Sequence, residues 1–319
     1  MQVYDFGLGW PDEGKEYVFV KALGEECRFR NMRFIMVNGY SVDSVMEEIR
    51  RNKLKIHFFL DLASETVNPD DRFTRLVYSL KDSGSRVVAD PDRARFAADK
   101  SITHYNLVNA SIPVPFTVVI RKWEPSRALT DYEREHLGIP FIIKPALGYG
   151  QRGIRVIRKR MGLKEMAEAR AFDPGDNFLL QEYVLPANLA GSPAWFRVFY
   201  ILGDIILCWW NNETSIYRPV TLREYTQFRL STLVLLSSEI ASITGIEWFS
   251  CEIALRKKDK RFVVIDYMND QFDVSSQSQW AIGVPDNLLL LFAQRIVEKV
   301  WQYQHGRISD FYRTVWFIS

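Results

Sequence analysis

A chain of 319 residues, 47% hydrophobic and 25% charged, has the make-up of a globular protein of about two domains. The net charge of +2 gives no electrostatic footprint for nucleic acid or an anionic membrane, and the charge runs 155–160 and 256–261 are expected on solvated turns and strand ends. Cys27, Cys208 and Cys251 are odd in number, far apart and without C-x-x-C spacing, so neither a disulfide framework nor a zinc site is expected, and a reducing cytoplasm fits. No apolar run reaches about 18 residues and the chain opens on a strand-like segment, so secretion and membrane spanning are not expected.

Residues 1–90 alternate strand-like and helix-like patterns: Gln2–Leu8, Glu13–Asn31, Arg33–Val37, Ser41–Asn52, Lys55–Leu62, Asp70–Ser83 and Arg86–Ala89. This alternation predicts a small parallel sheet with helices on both faces. Gly9–Lys15 has the G-x-x-x-x-G-K spacing of a phosphate-binding P-loop. Three features speak against that role. Glu16 stands where a metal-holding Ser or Thr belongs, Asp12 and Glu13 bring negative charge into the cradle, and Pro11 lacks an N–H donor. A plain β-α turn is expected. Near Asp90–Pro91 the pattern changes. Asp92–Asn109 reads as one helix, ending before Pro113 and Pro115, and Val118–Ile120 as a strand, so a domain boundary is placed here.

The stretch Pro140–Val156 delivers Lys144 from an apolar run into a turn containing Gly148, Gly150 and Gly153, followed by Ile154, Val156 and Ile157. It reads as strand, glycine-rich loop, strand. Glycines let main-chain N–H groups approach a polyphosphate, and a flanking lysine supplies countercharge. A dinucleotide fingerprint requires a helix after the loop, and a protein-kinase loop has its lysine after the glycines with H-R-D and D-F-G downstream; neither pattern is met. A hairpin with a solvated lysine is the plain alternative. Further on, Trp195–Trp210 reads as a hairpin turning at Leu202-Gly203-Asp204, and two apolar strands joined by Arg256–Arg261 bring Glu252 alongside Asp266 and Asn269. Leu288–Val300 reads as a helix. Trp301–Ser319 carries no legible chemistry, and the four histidines read as structural or surface residues.

Six motifs in order resemble the ATP-grasp superfamily over residues 90–275: Asp99-Lys100, Ile112–Thr117, Ile143-Lys144-Pro145 with the glycine loop, Gln181–Val184, Arg197-Val198-Phe199, and Asp266 with Asn269. The resemblance implies an α/β N-terminal domain with a small parallel sheet, residues 1–91, followed by a two-lobed α+β ATP-grasp fold over 92–319, with lobes of about 115–183 and 184–319. ATP would lie between the lobes with the glycine loop closing over its phosphates.

Within that resemblance Lys100 reaches the phosphates or is an exposed helical lysine. Lys144 shares a strand face with Ile142 among apolar neighbours, where an ATP phosphate would compensate its buried charge; otherwise it is a snorkelling strand-end lysine. Gln181 or Glu182 accepts from the adenine amine, and backbone groups near Tyr183 and Val184 meet the ring nitrogens, unless the segment is a solvated edge strand. Arg197 sits near the transferred phosphate. Many relatives carry Asp two residues before that arginine, where this chain has Trp195. Arg152, at the loop tip, closes onto the phosphates or faces water. Glu252, Asp266 and Asn269 would hold Mg²⁺, or Mn²⁺ in its place. Asp266 and Asn269 are three apart rather than two, so a bulge or strand exit after Asp266 is expected, with Asp270 or Asp273 as substitutes.

The implied activity is an ATP- and Mg²⁺-dependent ligase that activates a carboxylate as an acyl phosphate for attack by an amine. A small-molecule kinase or a non-catalytic nucleotide-binding protein are the alternatives. The implied partners are ATP and small carboxylate and amine substrates, with no nucleic acid or membrane and with oligomerisation left open.

Overall fold

The computed structural model describes residues 1–13, 17–65, 67–68, 70–124, 127–148, 153–159, 170–171, 174–308 and 313–317. Gly150, Gln151 and Arg152 of the glycine loop, Lys15 and Glu16 of the P-loop-like stretch, and Arg160 therefore lie outside the described residues. The chain forms two compact units. Met1–Arg95, Phe196–Cys251 and Met268–Ser319 make the first, and Phe96–Trp195 with Glu252–Tyr267 the second.

In the first unit, β1 (Gln2–Gly9), α1 (Val18–Phe29), β2 (Phe34–Val37), α2 (Val42–Arg50), β3 (Leu54–Asp61), α3 (Arg72–Asp82) and β4 (Arg86–Val87) follow one another as the β-α alternation predicts. The strands form a parallel sheet in the order β2-β1-β3-β4. Its centre is dictated by size. A Cβ at Gly7 would come within 2.7 Å of the Phe59 ring, so glycine on β1 is what lets that ring pack across the sheet. Phe59, Ile56, Leu76, Val77 and Leu80 then join Val42 and Ile49 in one apolar core. Asp71 caps α3 by accepting from Thr74 N at 2.8 Å.

The single helix expected over Asp92–Asn109 is two, α4 (Pro91–Ala98) and α5 (Lys100–Asn109). The reason is local: the Asp99 carboxylate accepts from Ser101 N (2.8 Å) and Ile102 N (3.2 Å), ending one helix and starting the next.

The second unit is built on an antiparallel sheet in the order β5-β8-β6-β7, from β5 (Thr117–Ile120), β6 (Phe141–Pro145), β7 (Arg155–Ile157) and β8 (Phe178–Glu182), with α6 (Asp131–Leu137) between β5 and β6. The two strands expected on either side of the glycine stretch are thus present: β6 and β7 pair with Ile142 opposite Val156. One face of the sheet is apolar. Val118, Ile120, Phe141, Ile143, Phe178 and Leu180 pack there with Leu137 of α6. The period of two sends Thr117, Gln181, Ile142 and Lys144 to the other face, where Thr117 and Ile142 flank Gln181 in register and Lys144 stands beside Leu179.

After the short β9 (Asn188–Leu189) and β10 (Ser192–Pro193) comes a larger sheet in the order β13-β12-β11-β14-β15. Its strands are β11 (Trp195–Ile201), β12 (Asp204–Asn211), β13 (Ile216–Pro219), β14 (Trp248–Leu255) and β15 (Phe262–Asn269). The expected hairpin turn between β11 and β12 has Leu202 at φ 48° and Gly203 at φ 85°, the positive-φ pair of a tight turn. The helices α7 (Leu222–Gln227), α8 (Ser231–Thr244) and α9 (Asp286–Gln304) complete this region. The aromatic terminal stretch contributes β16 (Thr314–Trp316), which adds a parallel edge to β12. The division into units cuts β14 after Cys251 and β15 after Tyr267.

Candidate functional site

The second unit contains Lys100, Lys144, Gly148, Gly153, Gln181, Glu182, Tyr183, Val184, Glu252 and Asp266; Arg197 and Asn269 belong to the first. Lys144 is the centre of the set. It is 7% exposed, and its Nζ donates to Ile265 O at 3.3 Å and lies 5.2 Å from the centre of the Tyr267 ring. No carboxylate pairs with it among the described residues. Burial lowers its pKa to about 8, Asp266 and Glu252 partly offset that, and Lys100 adds to it.

Lys100 opens α5. Its backbone N donates to Ala146 O (3.0 Å) and its Nζ to Gly148 O (2.6 Å), so both ends of the residue hold the segment that leads from β6 into the glycine loop. On the far side, Leu147 N donates to the Asp176 carboxylate at 2.7 Å.

Beneath Lys144 is a neutral polar network that sequence reasoning missed. Gln181, 1% exposed, donates from Nε2 to Thr117 Oγ1 (3.2 Å) and Tyr267 Oη (2.9 Å), and Tyr267 Oη meets His104 Nδ1 at 2.8 Å. Accepting from Gln181 leaves the tyrosine hydrogen for the histidine. Burial, with Lys144 nearby, lowers the His104 pKa to about 4 and keeps the ring neutral. Strand alternation could have revealed part of this, because Tyr267 must face opposite to Asp266. The pairing with His104, 163 residues away, left no local signal.

Gln181 gives its Nε2 hydrogens to the buried network, bonds that do not use its Oε1, the acceptor expected at the adenine amine. Glu182 accepts from Phe116 N (3.3 Å) and Arg256 Nη1 (3.1 Å) and also pairs with Lys258, so both its oxygens are tied to the β14–β15 turn. The turn 256–261 is accordingly more than a solvated charge run. Tyr183 and Val184 follow β8 as irregular backbone, and no main-chain hydrogen bond from either is found among the described residues.

The expected break after Asp266 is absent. β15 continues through Asn269, so the period of two sets Asp266 and Asn269 on opposite faces and gives Met268 the position two beyond Asp266. Asn269 Oδ1 instead accepts from Gln271 N at 3.3 Å. Glu252, partly buried on β14, accepts from Trp195 Nε1 at 3.0 Å. Among the described residues no group of three His, Cys, Asp or Glu side chains converges as a metal site. In the first unit, Arg197 Nε donates to Ser250 Oγ at 3.1 Å and the guanidinium stacks 5.4 Å from the Trp210 ring.

This set fits a polyphosphate with a divalent cation. A buried ammonium without a carboxylate partner calls for an anion, and two carboxylates close enough to act on that ammonium are oxygen donors of the kind magnesium takes alongside phosphate oxygens. No helix among the described residues is long and apolar enough to cross a membrane.

No protein-family model and no curated protein matches the chain. Solved structures do. A D-alanine–D-alanine ligase from Bacillus anthracis complexed with ATP is 16% identical with a TM-score of 0.58, over 95% of this chain and 100% of that one. A RimK-domain ATP-grasp protein from Sphaerobacter thermophilus is 16% identical with a TM-score of 0.61, over 92% and 99%. The ATP-grasp ligase PsnB, complexed with a precursor variant, Mg and ADP, is 12% identical with a TM-score of 0.58, over 94% and 98%. The strand order, the lysine ahead of a glycine loop and these likenesses along nearly the whole chain agree: this protein has the fold of the ATP-grasp superfamily.

Proposed function

We propose that this protein is an ATP- and Mg²⁺-dependent ligase that activates a carboxylate as an acyl phosphate for attack by an amine. The observation that carries the reading is Lys144, a buried ammonium that meets a carbonyl and a ring face and pairs with no carboxylate among the described residues. Similar structures that hold ATP, or Mg and ADP, support it.

In the proposed reaction a substrate carboxylate oxygen takes the γ-phosphoryl group and ADP departs. The amine nitrogen then bonds to the acyl carbon, the carbon–oxygen bond to phosphate breaks, and the nitrogen gives up a proton. Magnesium, held by Glu252 and Asp266, would supply charge neutralisation at the phosphates. The protein's own part is alignment and countercharge. Lys144 and Lys100 hold phosphate oxygens, and Gly148, Gly150 and Gly153 cover them. The Gln181 oxygen accepts from the adenine amine and the main chain of Tyr183 and Val184 meets the ring nitrogens, while both oxygens of Glu182 are engaged elsewhere. Glu252 and Asp266 hold the cation. Asn269 leaves the ligand set because it lies on the opposite face of β15. The role of Arg197 at the transferred phosphate, and the treatment of residues 1–91 as a separate N-terminal domain, rest on the resemblance.

The test is ADP release against a panel of carboxylates with and without amines, with hydroxylamine as a trap. The reading expects release that requires a carboxylate, with an acyl hydroxamate formed in the trap. ADP release on a hydroxyl compound without hydroxamate would make the protein a kinase. Nucleotide binding with no turnover on any mixture would make it a non-catalytic binder.

A further inference from the structure

Gln181 lies on the same sheet face as Lys144, and one side chain touches both. The Tyr267 ring is 5.2 Å from Lys144 Nζ, and its hydroxyl accepts from Gln181 Nε2 at 2.9 Å. A glutamine amide has a donor end and an acceptor end of nearly the same shape, so what it offers a ligand depends on which end its neighbours hold.

The neighbour that decides is Thr117. Its hydroxyl lies 2.9 Å from Pro115 O, and a carbonyl brings no hydrogen, so the single hydroxyl hydrogen is directed there. Toward Gln181, at 3.2 Å, Thr117 Oγ1 can then only accept, and the amide must present Nε2. Tyr267 alone would not impose this orientation. Its hydrogen, given to His104 Nδ1 at 2.8 Å, could turn to an amide oxygen if the histidine donated in its place. With Nε2 held, Oε1 is the end left over, and it takes no hydrogen bond among the described residues. A buried acceptor of this kind calls for a donor, and Gln181 is 1% exposed.

Adenine carries an exocyclic amine, a donor, where guanine carries a carbonyl, an acceptor. Opposite a fixed amide oxygen the first makes a hydrogen bond and the second sets two acceptors against each other. A rotated amide would reverse that preference. We propose that Thr117 is the positioning residue for base selection, locking the Gln181 amide with its oxygen toward the base so that the site takes an adenine nucleotide and rejects a guanine one. The inference rests on the reading of Gln181 at the adenine amine.

The experiment is calorimetric titration of the full chain with magnesium and the non-hydrolysable imido analogues of ATP and GTP. The two analogues share one triphosphate, so the ratio of their affinities reports the base, whereas a general loosening of the site weakens both and leaves the ratio unchanged. Wild type is expected to favour the adenine analogue on the order of 100-fold. Thr117→Val, with Thr117→Ala as the second hydroxyl-free variant should the first fail to fold, is expected to narrow that ratio about tenfold. Thr117→Ser keeps the hydroxyl and should restore the wild-type ratio. Tyr267→Phe should stay within about twofold of it, because Thr117 still holds Nε2. A wild-type ratio in Thr117→Val, with the ratio lost in Gln181→Leu, overturns the lock and leaves Gln181 at the base. Equal narrowing in Thr117→Val and Tyr267→Phe overturns the assignment to Thr117. A wild-type ratio in Gln181→Leu overturns both the lock and the base reading. Binding is read without turnover, so a protein that proves to be a kinase or a non-catalytic binder leaves the inference standing, and a wild type that binds neither analogue overturns it.

Discussion

Lys144 and Lys299 are both buried, at 7% and 5% exposure, and burial lowers the pKa of both, yet their surroundings differ in kind. Lys299, on α9, has the fully buried Asp204 carboxylate at 2.9 Å and donates to Leu202 O at 2.8 Å, and Arg295 shares Asp204 at 2.7 Å. That corner ties α9 to the tight turn between β11 and β12. Lys144 has a carbonyl at 3.3 Å and a ring face. A buried charge without a counter-charge is costly, and proteins keep such a group where a ligand completes it. The difference teaches how to separate a structural cation from a binding one: the first already has its carboxylate, and the second pairs with none among the described residues.

Breaking the complete pair is expected to give the largest effect. Asp204→Ala leaves Lys299 and Arg295 buried without their shared carboxylate and should cost about 3–5 kcal/mol in denaturant unfolding. Lys144→Met should leave the ligand-free protein as stable as wild type or more so, since it removes an uncompensated charge.

A pH series sharpens the contrast. The Lys144 pKa is about 8 in the folded chain and about 10.4 in the unfolded one, so between those values the unfolded state binds more protons and stability rises with pH. Wild type should therefore gain on the order of 3 kcal/mol relative to Lys144→Met from pH 8 to about 10.5. Urea unfolding of the two proteins at both ends of the range reads this difference, and a constant difference would show that Lys144 keeps an ordinary pKa.

The neutral network under Lys144 should respond least. Tyr267→Phe removes the hydroxyl shared by Gln181 and His104 and is expected to cost about 1–3 kcal/mol, read in the same way. A larger loss would mean that the network carries charge.

What the sequence disclosed was what local patterning encodes. The β-α alternation of residues 1–90, the strand-loop-strand reading around Gly148 and the hairpin at Gly203 follow from periods and turn residues that a few neighbours determine. The placement of Lys144 on the face opposite Ile143 followed from the same period. Contacts made across the chain were not legible. Glu182 looked available for a base because Arg256 and Lys258, which hold it, are some seventy residues further on. Asp99 looked like one more helical residue because its capping geometry depends on backbone angles that periodicity does not report. Trp195 is a departure from the resemblance, and its bond to Glu252, 57 residues further on, leaves no local signal.

The central claim is that Lys144 is kept buried for a phosphate. Calorimetric titration of wild type and Lys144→Met with a magnesium-bound non-hydrolysable ATP analogue, alongside unfolding of both ligand-free proteins, tests it most directly. The account predicts a folded variant, no less stable than wild type, whose Kd is at least about 30-fold weaker, corresponding to about 2 kcal/mol or more. Equal affinity in the two proteins would contradict it.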